Sequence, residues 1–542
     1  MLDVVVVGAG FAGLHLLHSL RGLGFKVQVL EAAEDVGGVW TWNRYPGARC
    51  DVESLQYSYS FSKDLEQEWV WSERYAAQPE ILRYIRHVAE RFELRRDIRF
   101  NTTVASASFD ANSDTWTLCT EQSSAQGTAQ RSAPGDTLRA RFCIMATGAL
   151  SAARTPDIPG LADFAGHAHH TGQWPHEGVD FSGQRVAVIG TGSSGIQAIP
   201  AIAEQAAQLT VFQRTANFTI PAWNRPLTDA AQAEWKAHYA EHRSRAREVG
   251  TLYDFTTRAA SEASEEERQQ EYETRWHKGG VNFVHAFNDL MVDKASNDTI
   301  AEFVRAKIRS IVHDPATAEA LSPRSHPLGT KRICVDTGYY ATFNRPHVKL
   351  IDLRKTPIEC ITRTGIRTSA GEHALDTIVF ATGYDALTGA LARIDVQGLA
   401  GRQLSVKWAH GPRSYLGLMS AGFPNFFIVT GPGSPSVLVN MIVGIEQHVE
   451  WISRCLCELR QQGQTRIDAT VEAEDRWVDH VNAAAARTLF PLADSWFLGA
   501  NVPGKPRVFM PYVAKIGVYR QECDDVAQDG YQGFVRSTVG AC

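Results

Sequence analysis

The chain predicts an α/β protein built of two Rossmann-like dinucleotide-binding domains with a helical insertion in the second. Three observations predict it. A strand, a G-x-G-x-x-G turn, a helix and a second strand open the chain, and the same series recurs from residue 184. Each series is answered by an apolar run ending in Ala-Thr-Gly, FCIMATG (142–148) and LDTIVFATGYD (375–385). Between residues 224 and 320 the composition turns charged and rich in Ala, Glu and Arg, with ASEEERQQEYETRW and TIAEFVRAKIRSIV reading as amphipathic helices. The expected division is 1–149 for the first part of one domain, 150–384 for the second domain with its insertion at about 224–325, and 385–542 for the return to the first.

Composition narrows the function. The 542 residues are too many for one core, and 44% hydrophobic with 21% charged residues is ordinary for a globular protein. A net charge of −6 argues against a nucleic-acid binder. The start MLDVVVV has no basic segment or cleavage site, and no apolar run nears the roughly 20 residues of a membrane span, so a cytoplasmic protein with no membrane partner is expected. Nine cysteines (50, 119, 143, 334, 360, 455, 457, 523 and 542) are scattered without a C-x-x-C. They read as free, mostly buried thiols, which disfavours a disulfide reductase. His167, His169 and His170 lack zinc-site spacing with any cysteine pair, so no metal is expected.

In the first unit, Val4 to Val7 read as a buried strand, LHLLHSLRGLG as the helix and KVQVLE as the second strand. Gly8 permits the tight turn, Gly10 lets the backbone approach a pyrophosphate, and Gly13 lets helix and strand pack closely. The phosphates sit at the helix N-terminus, where free N–H groups and the dipole favour anions. Glu31, at the end of the second strand, suits a ribose hydroxyl. Residues 37–51 then bring glycines, Trp40, Trp42, Arg44, Arg49 and Asp51 together. Two tryptophans in so open a stretch are expected to wrap a large flat cofactor such as a flavin.

The second unit, VAVIG followed by Thr191, Gly192, Ser193, Ser194 and Gly195, repeats the pattern with one exchange. Its second strand, LTVFQR, ends at Arg214 where the first ends at Glu31. A carboxylate suits a bare ribose and a guanidinium suits a 2′-phosphate, so the first unit reads as FAD-binding and the second as NADPH-binding. Between the units lies FAGHAHHTGQWP (164–175), read as an irregular His-rich linker with Trp174 extended before Pro175. In the last third, FPNFFIVTGPGSP is a buried strand meeting a turn, and VLVNMIVGIEQHVEWISRCLCELRQQ a long helix whose N-terminal end could face a flavin. SWFLGANVPGK (495–505) has the look of a mobile loop.

The linker pattern Phe164, Gly166, His170, Trp174 and Pro175, set between two G-x-G-x-x-G units, resembles the fingerprint of the Baeyer–Villiger monooxygenases. The resemblance covers essentially the whole chain. WNRYPGARCD, HTGQWPHE, VFQRT, GTKR, ATGYDALTGAL, GPGSPS and GANVPGKPRVFM are similar to segments of that family, most of all of its phenylacetone monooxygenases. It implies an enzyme that uses FAD, NADPH and O2 to insert one oxygen beside a ketone carbonyl, through a C4a-peroxyflavin, giving an ester or lactone. It implies that Arg332 stabilises anionic states and that Asp51 positions it. Cofactor contacts would fall on Gly8, Gly10, Phe11, Gly13, Glu31, Gly38, Val39, Trp40, Asp51 and Tyr57 in the first unit. In the second they would fall on residues 190–195, Arg214, Thr215 and Lys331, with Trp496 on a closing loop. His170 and Trp174 would be structural and hinge residues.

Val52, Ala149, Leu150, Ser436, Val437, Leu438 and Met441 would line or flank the substrate pocket, together with Val39. Ala149 stands for a glutamine of the phenylacetone monooxygenases, Val437 for an alanine and Thr41 for a tyrosine, while Ser436-Val437 keeps their longer turn. The pocket is therefore altered, and aryl-aliphatic and medium or bulky cyclic ketones are expected, acted on by a monomer. Two other readings share the nucleotide units: a flavin monooxygenase hydroxylating nitrogen or sulfur, and an NADPH oxidase making only peroxide.

Overall fold

The computed structural model describes residues 1–122 and 134–538. Cys542, counted above among the buried thiols, lies outside them. The N-terminal strand Leu2–Val7 is apolar along four consecutive residues because it is central and covered on both faces. It pairs in parallel with Val27–Leu30 on one side and with the end of Pro134–Met145 on the other. The full order across this sheet is Asp395–Gln397, Thr102–Asp110, Thr115–Gln122, Pro134–Met145, Leu2–Val7, Val27–Leu30 and Ile98–Arg99. The long strand Pro134–Met145 changes partner along its length. Its first half closes an antiparallel meander with Thr115–Gln122, and its second half takes Phe426–Ile428 in parallel. The chain that leaves after Gly148 thus returns to this sheet through Asp395–Gln397 and Phe426–Ile428.

The second sheet is all parallel, in the order Val348–Asp352, Gln208–Gln213, Arg185–Ile189, Thr377–Phe380 and His167–His170. Its last member corrects the reading of the linker. Four residues of the His-rich stretch are not irregular; they form an edge strand, with His167 opposite Thr377 and His170 opposite Phe380. An edge strand needs one partner and keeps one side solvated, so histidines are tolerated there. The side chains alternate as a strand requires. His167 and His169 stack at 6.2 Å on one face, and His170 turns inward, buried.

Residues 224–325 hold helices Asp229–Ala237, Tyr239–Val249, Glu265–Lys278, Lys294–Ile311 and Pro315–Leu321. Four of these start on a side-chain cap, Thr228, Ser264, Asp293 or Asp314, each accepting a backbone N–H of the first turn. Tyr272 and Trp276 of the third helix, Phe303 of the fourth and Phe283 between them join the core under the second sheet, whereas Trp235 of the first and Ala246 of the second pack with the core of the first sheet. The helix Met441–Gln461, capped by Asn440, packs against Phe11–Gly22 and completes the first core. Eight described cysteines are free, five of them buried. Among the described residues, no helix is long and apolar enough to cross a membrane.

Candidate active site

One cavity of about 1050 Å³ runs between the two glycine-rich turns, at the upper end of the volumes typical of single-ligand pockets. The two turns are built alike. Gly8 and Gly190 have φ of +107° and +109°. A Cβ on them would stand 2.5 Å from the Ala146 carbonyl oxygen and 2.4 Å from that of Ala381. The Ala-Thr-Gly segments recognised in the sequence are therefore the backbone against which each first glycine closes. Gly13 and Gly195 do not reach the cavity, because each presses on the carbonyl of the first glycine of its own turn. Gly192 faces open space, with nothing within 4 Å of where a Cβ would lie.

In the first unit Gly8, Gly10, Phe11, Glu31, Gly38, Val39, Trp40, Asp51, Val52 and Tyr57 line the cavity. Glu31 accepts N–H bonds from Ala9 (2.6 Å) and Ala33 (2.8 Å), which hold it at the strand end. Burial pushes its carboxyl above the ordinary value against those donors. Trp40 Nε1 donates to the Tyr57 hydroxyl at 3.2 Å, and Phe11 meets Tyr57 edge-on at 5.3 Å. These rings form a wall for a flat group.

The second unit brings Gly190, Thr191, Gly192, Ser193, Ser194, Arg214, Thr215 and Lys331 to the same cavity. The Thr191 hydroxyl donates to the Thr215 carbonyl at 3.0 Å, tying turn to strand end. Arg214 and Lys331 have no ion-pair partner among the described residues. Burial, then the charge of Arg214, pushes the Lys331 ammonium down to about 8. Two adjacent unneutralised cations in a cavity suit a phosphate dianion. Asn217 Oδ1, Ser495 Oγ and Asn501 Oδ1, on lining residues, are buried without partners. The pyrophosphate turns, the unpaired cations, the aromatic wall and the orphaned polar atoms fit two dinucleotides.

Asp51 and Arg332, 281 residues apart in sequence, meet between the two halves. Arg332 donates Nε to Asp51 Oδ2 at 2.6 Å and Nη2 to Oδ1 at 2.7 Å. Its Nη1 donates to the Val437 carbonyl at 2.8 Å. Burial alone would raise the Asp51 carboxyl, but the guanidinium overrides it and leaves the carboxyl below its ordinary value. The pair in turn holds Arg332 above its ordinary value, although burial works against it.

Ala149, Leu150, Val437 and Met441 line the apolar part of the cavity beside Trp496. Ser436 and Leu438 are not among its lining residues. The Ser436 hydroxyl turns away to the Thr430 carbonyl (3.1 Å), and Leu438 packs into the apolar cluster behind Val437. The loop 495–505, read as mobile, is tied down: Asn501 Nδ2 donates to the Tyr384 carbonyl at 2.7 Å and Lys505 pairs with Asp385 at 2.5 Å. The fingerprint residues Phe164, Gly166, His170, Trp174 and Pro175 lie behind the cavity. His170 Nδ1 accepts the Gly172 N–H at 2.9 Å, and Nε2 faces the Thr382 hydroxyl at 3.3 Å. Burial lowers its imidazole. Trp174 is buried under Phe181. Sequence reasoning passed over Arg154, Asn217, Tyr384 and Thr430, all in the lining. Only Tyr384, directly after the second Ala-Thr-Gly, carried a signal.

Two nucleotide turns over one cavity, with an arginine fixed between them, define a flavin- and pyridine-nucleotide-dependent oxidoreductase. Residues 2–249 match the family model described as pyridine nucleotide-disulphide oxidoreductase. The chain belongs to the Baeyer–Villiger monooxygenases: it is 41% identical to a Baeyer–Villiger monooxygenase of Pseudooceanicola batsensis over 98% of this chain and 96% of that one. It is 40% identical to an acetone monooxygenase (methyl acetate-forming) of Gordonia sp. over 99% of both, and 40% identical to a phenazine N-monooxygenase of Lysobacter antibioticus over 98% and 96%. Among solved structures, an oxidised steroid monooxygenase bound to NADP is 53% identical with a TM-score of 0.93, covering 99% of each chain. A complex named OTEMO with FAD and NADP is 39% identical with a TM-score of 0.93, again over 99% of each. The protein is thus an FAD- and NADPH-dependent monooxygenase that converts ketones to esters or lactones with O2.

Proposed function

We propose that Arg332, held by Asp51, is the group that stabilises negative charge during oxygen insertion, and that the substrates are aryl-aliphatic or bulky cyclic ketones. The bidentate pair inside the cavity carries the reading. Bound FAD supplies the oxygen-activating chemistry and NADPH the electrons. Arg332 has five N–H groups and commits three, to Asp51 twice and to Val437 once, so two remain for the reacting oxygens. A guanidinium stays charged at working pH and gives up no proton, so it can hold an anionic oxygen without quenching it. Asp51 fixes the plane of the guanidinium before substrate arrives, which is preorganisation. Val52, Ala149, Leu150, Val437 and Met441 give the ketone an apolar wall. Small Ala149 leaves room for a ring or an aryl group, and the steroid monooxygenase likeness supports bulky ketones. The domain limits proposed are 1–149, 150–384 and 385–542, supported by where each sheet takes up its strands. A monomer in the cytoplasm is proposed as well.

Arg332→Ala should still allow NADPH to reduce the flavin, while ester formation falls by about 10²–10³, the usual result of removing one oxyanion donor. Stopped-flow absorbance reads the first and product analysis the second. Ester formation at the parent rate would remove the role. The phenazine N-monooxygenase likeness gives nitrogen oxidation a place beside ketone oxidation. A panel of ketones, sulfides and aromatic amines separates them: ester tracking NADPH supports the ketone reading, and N-oxide without ester replaces it.

A further inference from the structure

The third bond of Arg332 goes to a backbone carbonyl, and something must hold that carbonyl in place. Val437 lies in the short turn Ser436–Leu438. The turn begins in strained backbone: Ser436 has φ +43°, and Thr430, six residues earlier, has φ +52°. A β-branched residue in the left-handed region keeps it only when its surroundings impose it. The Ser436 hydroxyl donates to the Thr430 carbonyl at 3.1 Å, coupling the two strained residues. The Thr430 N–H donates to His448 Nδ1 at 3.0 Å. Because Nδ1 accepts, the proton of the neutral ring sits on Nε2, which faces the Tyr519 hydroxyl at 2.8 Å. The Tyr519 hydroxyl donates to the Leu416 carbonyl at 2.5 Å, leaving its oxygen to accept from Nε2. His448 is 1% and Tyr519 0% exposed, so no water takes their places.

We propose that His448 is a positioning residue for Arg332, acting through Thr430, Ser436 and the Val437 carbonyl. His448 touches neither the cavity nor the arginine. It fixes the only acceptor outside Asp51 that Arg332 uses among the described residues. The bidentate pair with Asp51 sets the plane of the guanidinium, but the two side chains can still tilt together as a unit. With the Val437 carbonyl the guanidinium has three points of attachment, and its two free N–H groups acquire a fixed direction. The inference rests on the proposed role of Arg332.

The experiment uses the FAD-loaded enzyme with NADPH, O2 and a ketone that the parent converts. His448→Phe keeps an aromatic ring and removes the acceptor. The expected result is flavin reduction within about twofold of the parent, a drop of at least tenfold in ester formed per NADPH, and hydrogen peroxide in its place. His448→Asn, whose Oδ1 can take the Thr430 N–H, should restore most of the coupling, which recovered stability alone would not explain. If His448→Phe fails to hold FAD, Tyr519→Phe carries the test, since it removes only the hydroxyl that orients the imidazole; a smaller loss of coupling in the same direction is expected. Unchanged coupling in the variant tested, or parallel loss of reduction and oxygenation, overturns the proposal. Arg332→Ala measured alongside separates the two readings: if it still makes ester, the role of Arg332 fails, and if it does not while His448→Phe keeps its coupling, only the positioning chain fails.

Discussion

Arg214 and Lys331 line one cavity and neither pairs with a carboxylate among the described residues, and the consequence is measurable at the level of single residues. A 2′-phosphate there gains charge-assisted bonds from both, so Arg214→Ala should cost about 1.5–3 kcal/mol in NADPH affinity and leave NADH nearly untouched. Equal losses for both cofactors would remove the assignment. Lys331 adds a pH dependence. Its ammonium is pushed down to about 8, and a bound phosphate restores it, so binding takes up a proton wherever the free enzyme has lost one. NADPH affinity should therefore be level below about pH 7.5 and weaken above about pH 8, by up to tenfold per unit. NADH affinity should stay flat over the same range, and titration calorimetry at several pH values reads both. At this scale the sequence could single out Gly8, Glu31, Gly190 and Arg214, because their proposed roles rest on properties that their residue types carry anywhere. The Val437 carbonyl and the Thr430 N–H were not legible in it, because every residue has such groups and only the fold selects them.

The edge strand His167–His170 shows what was hidden at the level of elements. His-Ala-His-His has no β-branched residue and no apolar alternation, so nothing in it announces a strand. Its conformation comes from Thr377–Phe380, whose ladder it completes. The central strands were legible because burial on both faces demands apolar runs. The spacing of Phe164 and Gly166 has a steric reason: a Cβ on Gly166 would lie 2.2 Å from the Asp376 carbonyl oxygen and 2.7 Å from the Phe164 ring. The ring can turn, but the carbonyl belongs to the residue that leads into the neighbouring strand and cannot. Gly166→Ala should shift the edge strand at a cost of about 1–3 kcal/mol, seen in denaturant unfolding. An unchanged midpoint would mean that the fingerprint glycine serves some purpose other than packing. His170, at the end of the strand, carries any shift directly to Thr382 and the second Ala-Thr-Gly turn.

Across the whole molecule, the cavity lies between two sheets, and the helical region 224–325 ties to the first of them through apolar packing of Leu227, Trp235, Ala246 and Leu252 and through several polar contacts. Helix Tyr239–Val249 makes the firmest. Arg243 Nε pairs with Glu66 at 2.8 Å, and Nη2 reaches the Ser58 hydroxyl at 2.8 Å; the two charged side chains are 13% and 7% exposed. Arg247 of the same helix meets Glu450 near the surface and contributes little by comparison. A buried pair is of modest net value when whole and costly when halved, since the remaining charge has no water to turn to. Arg243→Met should therefore destabilise the protein by about 3 kcal/mol at neutral pH. The sign of its pH dependence follows from Glu66. Burial holds that carboxyl above its ordinary value even with Arg243 beside it, and removing Arg243 raises it further. In the variant the folded state binds the Glu66 proton more tightly than the unfolded chain does. Its stability relative to the parent is then best at low pH and declines as pH rises through the raised value. Thermal unfolding of both proteins from pH 5 to 8 should show a deficit that widens with pH. A deficit constant over that range would mean that Arg243 works by packing alone, and no deficit would mean that the helical region is held to the first sheet by other contacts.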